Sequence, residues 1–133
     1  MVTSRLFAEH NRESIKEIAA KGGLVIIPIG AIEQHGPHLP VWTDTLTCET
    51  ITRAASLLVD GSIPVLVTPT LPFGSSDHHL PFGGTMSLDT KVLLDVLMNL
   101  GKSLHKSGFR KILFVNGTAA IMKFFNLQLV IWR

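Results

Sequence analysis

The chain has 133 residues, 46% of them hydrophobic and 17% charged, with 12 basic and 10 acidic side chains and a formal net charge of +2. This describes one small domain with enough apolar content for a core, and charges so scattered leave no basic stripe for nucleic acid. The single Cys48 excludes an internal disulfide framework. No apolar run approaches membrane-spanning length, and residues 1–11 lack the apolar core of a signal peptide, so the expectation is a cytoplasmic protein without membrane contact.

Helical and strand-like patterns alternate along the chain. Ile15, Ile18 and Ala19 have helical spacing over residues 14–21, and Gly22-Gly23 ends that helix. The run Leu24-Val25-Ile26-Ile27-Pro28-Ile29 reads as a buried strand, with Gly30 allowing a sharp turn at its end. Residues 45–58 form a second helix, with Leu46, Ile51, Ala54, Ala55 and Leu58 near one face and Asp44 or Thr45 able to cap its start. Cys48 within it reads as a buried structural thiol. Residues 63–68 are a short β-branched strand, and the Pro- and Gly-rich stretch 69–84 is a loop long enough to be functional. Val92, Leu93, Val96, Leu97 and Leu100 mark a third helix over 89–106, started by Ser87 or Asp89 and followed by Gly108. Residues 111–115 are a third strand, ending at Asn116-Gly117. Alternation of this kind predicts an α/β fold, a parallel sheet with right-handed crossovers and helices on its faces in Rossmann-like layers.

Chemistry concentrates where the first strand ends. Glu33-Gln34-His35-Gly36-Pro37-His38-Leu39-Pro40 is followed by Asp44. On an extended segment, side chains two apart point the same way, so Glu33 and His35 can face one point while Gln34 turns aside. Carboxylate oxygen with imidazole nitrogen suits zinc, manganese or iron. The carboxyl end of a strand is also where open α/β sheets place their sites. A second polar group, Asp77-His78-His79, lies in the long loop and reads equally as a substrate mouth or a solvated tip. His38 could support the ligands or simply bond within its Pro-flanked turn. Gly83-Gly84 has no P-loop lysine beside it and needs only turn geometry.

Together, Gly30 through Asp44, Pro72-Phe73-Gly74, Ser76 through Leu88, and Phe114-Val115-Asn116-Gly117 resemble the creatininase (creatinine amidohydrolase) family. The resemblance covers residues 1–117 as the N-terminal part of that fold. It implies that Glu33, His35 and Asp44 are metal ligands, with Asp44 bridging two ions in an intact family member. It further implies a homo-oligomer, typically a hexamer, acting on a small-molecule amide by hydrolysis of a non-peptide or cyclic C–N bond. In such a site metal ions acidify a water and polarise the carbonyl while a carboxylate or histidine handles the proton. Family membership fixes metal chemistry better than substrate, so a deformylase or a peptidase-like trimming enzyme is the alternative within the family. A non-catalytic truncated remnant is the alternative outside it.

Beyond Gly117 the pattern breaks. The family continues His-Gly-Gly-Asn, whose histidine is a further ligand, and creatininase has a metal-binding Glu two positions later; here the residues are Thr118, Ala119 and Ala120. The codons CAC GGC GGC AAT CAT GAA encode His-Gly-Gly-Asn-His-Glu. Without their first base they read ACG GCG GCA ATC ATG, then AAA or AAG, which is Thr118-Ala119-Ala120-Ile121-Met122-Lys123. Reading 124–133 back into the other frame permits an amphipathic helix, the element a parallel sheet needs there. Residues 118–133 are therefore expected to be a frameshifted, non-homologous tail, with the C-terminal part of the fold missing. Its stretch Leu127-Gln128-Leu129-Val130-Ile131-Trp132 is uncharged and β-prone, an aggregation liability unless covered.

Overall fold

A computed structural model describes residues 4–119 and the strand backbone at 127–131. Its helices are α1 (Arg12–Ala20), α2 (Thr43–Leu57) and α3 (Thr90–Lys106), and its strands are β1 (Leu24–Ile29), β2 (Val65–Val67), β3 (Lys111–Asn116) and β4 (Leu127–Ile131). The sheet order is β2-β1-β3-β4. β1 runs parallel to both β2 and β3, and its register with β3 is unbroken from Leu24↔Lys111 to Ile29↔Asn116. The parallel three-stranded core flanked by helices is the α/β arrangement that the alternating pattern predicts.

β1 is central and buried on both faces, which is why it reads as a continuous apolar run. Val25, Ile27 and Ile29 join Ile18, Leu93, Leu97, Leu104, Phe109, Ile112 and Phe114 in one core, on the side of α1 and α3. Ile26 joins Val65 and Val67 in a smaller core on the other side, next to Leu24, Leu113 and Val115. Asn11 caps α1 by accepting from Ser14 N, and Asp89 caps α3 by accepting from Lys91 N.

Three features differ from the sequence expectation, and each has a local cause. α2 is not capped by Asp44 or Thr45: its N-cap residue is Trp42, with no side-chain cap. The Thr45 hydroxyl instead donates to Ala31 O at 2.8 Å, and the Asp44 carboxylate faces His35. α2 also turns its small residues inward, burying Thr45, Cys48, Thr52 and Ser56, while Leu46, Ile51 and Leu58 are 53%, 61% and 86% exposed. The cause is close approach: a Cβ on Gly30 would stand 2.5 Å from Thr45 Oγ1 and 2.6 Å from its Cα, and one on Gly117 would overlap Cys48 Cβ. Gly30 thus serves packing against α2, since its φ is not positive. Finally, β4 runs antiparallel to β3. The connecting residues 117–126 are fewer than the dozen or more that a parallel crossover takes, so the chain returns antiparallel.

Candidate metal centre

The β1–α2 loop builds the centre. Gly36, at φ 70°, folds the loop back so that His35 pairs with Leu39 in an isolated bridge, and Glu33 N donates to Val41 O at 3.3 Å. α2 then presents Asp44 from its first turn, where the helix dipole favours a carboxylate. One ligand atom from each of Glu33, His35 and Asp44 lies within 4.8 Å of the others. The His35 ring is fixed at both nitrogens: Nδ1 donates to Glu33 O at 3.0 Å, and Nε2 stands 2.9 Å from Asp44 Oδ1. An imidazole held through Nδ1 to a carbonyl turns Nε2 toward a metal. The Glu33 carbonyl above all, and Asp44 after it, raise the His35 pKa above its ordinary value against the opposing effect of burial.

Glu33 is the buried member, only 4% exposed. Its Oε2 accepts from Ser76 Oγ at 2.5 Å, and Ser76 is itself fully buried, with its backbone N–H donating to Ser87 Oγ. Glu33 Oε1 lies 3.7 Å from His79 Nε2. Among the described residues the ion pairs of the two carboxylates are with histidines and with no lysine or arginine. Two acidic groups so placed, one of them buried, suit a divalent cation as the compensating charge. The donor set therefore fits the metal that the sequence pattern implies.

The other candidate residues separate. His79 faces Glu33, whereas His78 is exposed and lies against the His79 ring at 4.1 Å between centroids. Asp77 is exposed and accepts from Ser87 Oγ at 2.5 Å, within its own loop. His38 is exposed beside Gly36 and is not in the ligand cluster. The long loop carries a 3-10 helix, Asp77–Phe82, and docks on the β1–α2 loop through Met86 N to Ile32 O at 2.9 Å and Gln34 N to Thr85 Oγ1 at 3.2 Å. Ser76, Gln34 and Thr85 are site residues that spacing alone does not reveal. At the neighbouring strand end, Thr118 is buried and its N–H donates to Asn116 Oδ1 at 3.1 Å.

The family model described as "Creatininase: Creatinine amidohydrolase" matches residues 8–126. The mycofactocin precursor peptide peptidase of Mycolicibacterium smegmatis is 38% identical over 98 residues, covering 71% of this chain and 38% of that protein. Creatinine amidohydrolase of Pseudomonas putida is 30% identical over 113 residues, covering 80% of this chain and 41% of that protein. Among solved structures, a creatininase variant with one tryptophan replaced by phenylalanine superposes with a TM-score of 0.82 at 25% identity, over 92% of this chain and 48% of that one. A manganese creatininase superposes with a TM-score of 0.78 at 25% identity, over 86% of this chain and 46% of that one. The chain spans about two fifths of the length of these curated relatives and about half of the solved chains. With the family model matching residues 8–126 and the fold superposing on creatininase structures, this chain belongs to the creatininase family.

Proposed function

We propose that this chain carries the first ligand cluster of a metal-dependent amidohydrolase site. Glu33, His35 and Asp44 hold a divalent ion, zinc first and manganese or iron as alternatives. The observation that carries the reading is the convergence of these three side chains within 4.8 Å at the carboxyl end of β1. A bound ion supplies Lewis acidity, polarising an amide carbonyl and acidifying a water. The protein's part is orientation: the Glu33 carbonyl fixes the His35 ring, and Ser76 occupies Glu33 Oε2, while Oε1 lies 3.7 Å from His79 Nε2. The manganese creatininase and another of Zn-Zn type support this metal class. Thr118 in place of the family's histidine leaves the ligand set short, so binding is weak and activity impaired.

The bond attacked is a non-peptide or cyclic amide C–N bond. A peptide amide is the second reading, favoured by 38% identity to a peptide peptidase against 30% to a creatinine amidohydrolase. The exposed Leu46 and Ile51 on α2, with Leu58 just past its end, support a homo-oligomer, a hexamer as in the family, that covers them. Turnover of creatinine and of short peptides by the purified chain, with and without added zinc or manganese, separates the readings. Metal-stimulated hydrolysis of either class supports an enzyme and names its class. Zinc binding without any turnover supports a non-catalytic remnant.

A further inference from the structure

We propose that Gln34 is a positioning residue that holds the His79 ring with its proton on Nε2. The loop histidine then offers the Glu33 site an N–H for a substrate oxygen and no lone pair for the metal. The proposal rests on the metal-site reading and deepens it by assigning what the second loop contributes.

Hydrogen-bond directions carry the argument. Gly36 N–H donates to Gln34 Oε1 at 2.9 Å, and a backbone N–H is only a donor, so the amide is fixed with its NH2 pointing the other way. That NH2 lies 2.7 Å from His79 Nδ1 and can only donate, so Nδ1 is the acceptor. The ring proton is therefore on Nε2, which faces Glu33 Oε1 at 3.7 Å. A separation of 3.7 Å is too long for a direct hydrogen bond, so Glu33 Oε1 does not occupy the Nε2 proton. Thr85 fastens the pair from behind, accepting from Gln34 N at 3.2 Å. His79 is 23% exposed in its side chain, and His78 lies against its ring. The group a donor here recognises is an amide carbonyl oxygen or the oxyanion formed from it.

Long-range proton–nitrogen NMR of the histidine rings in the full chain tests this. The expected result is His79 protonated on Nε2 and bare on Nδ1, with zinc titration shifting His35 and leaving the His79 Nε2–H in place. Gln34→Glu keeps the side-chain length but puts an acceptor opposite Nδ1, so the proton should move to Nδ1 and Nε2 become a ligand. Zinc affinity of Gln34→Glu should then rise by at least the roughly tenfold that an outer metal partner is worth. The gain should vanish in the double variant Gln34→Glu, His79→Ala. A wild-type His79 protonated on Nδ1, or coordinated to zinc, overturns the proposal. Zinc that shifts no histidine overturns the metal-site reading instead, while the wild-type tautomer still decides the role of Gln34, including where the variant fails to fold.

Discussion

The ends of β1 and β3 are built alike and equipped differently. The two strands pair in register to Ile29↔Asn116, and each is followed by a glycine pressed on α2, Gly30 against Thr45 and Gly117 against Cys48. After Gly30 come Glu33, His35 and Asp44, gathered within 4.8 Å. After Gly117 come Thr118 and Ala119, and Thr118 and Asn116 bond each other locally, with Asn116 Nδ2 donating to Thr118 O at 2.9 Å. Backbone frame and helix packing thus persist where the gathered carboxylate and imidazole side chains do not. A fold of this kind is no measure of how complete its site is.

The strongest way to break the contrast is to equip the second strand end. We propose that residues 118–133 are a frameshifted tail, so inserting one C after the Gly117 codon should restore Asn-Gly-His-Gly-Gly-Asn-His-Glu and an amphipathic helix behind it. Metal affinity should rise by more than the roughly 100-fold that outer metal partners are worth, and solubility should rise with it as the helix covers the sheet. A stop codon met at once in the restored frame, or no helix-patterned segment there, would sink the frameshift. The next largest effect belongs to the equipped end: Asp44→Ala should weaken zinc binding by on the order of 100-fold, read by calorimetry. Its folding stability should fall by only about 1 kcal/mol, because one hydrogen bond to His35 is lost. Unchanged zinc affinity in that variant would remove Asp44 from the site.

Packing at the two ends should respond equally, which sharpens the comparison. Gly30→Ala and Gly117→Ala each force a Cβ into α2 and should each destabilise by roughly 1–3 kcal/mol in urea unfolding. A neutral result at Gly117 alone would mean that β3 does not hold α2 as β1 does. The smallest effect concerns Cys48, whose thiol is buried and pushed above its usual pKa by that burial. Disulfide exchange with an aromatic reagent should be slow in the folded chain and immediate in denaturant. Fast native reaction would show that the Cys48–Gly117 contact opens readily.

The convergence of Glu33, His35 and Asp44 was legible where it depends on short spacing. Glu33 and His35 share a side because they are two apart on extended chain, and Asp44 lies just beyond on the next helix. The parallel strands β1, β2 and β3 were legible as apolar runs, and Asp89, one of the two starts the pattern offers for α3, caps it by accepting from Lys91 N. Ser76, Gln34 and Thr85 were not, since their partners lie 43, 45 and 51 residues away across the docking of two loops. α2 misled for a different reason. Its buried face is made of the small side chains Thr45, Cys48, Thr52 and Ser56, of which Thr45 is pressed on Gly30 and Cys48 on Gly117, so its apolar stripe points outward. Hydrophobic periodicity marks a core face only where burial, and not close approach, selects the residues.

Metal analysis after zinc loading and exhaustive dialysis tests the central claim most directly, because ligand number governs how firmly an ion is kept. With one equipped strand end and one bare one, the chain should retain a substoichiometric amount of zinc, and Asp44→Ala should retain none. Two tightly held ions per wild-type chain would contradict the account.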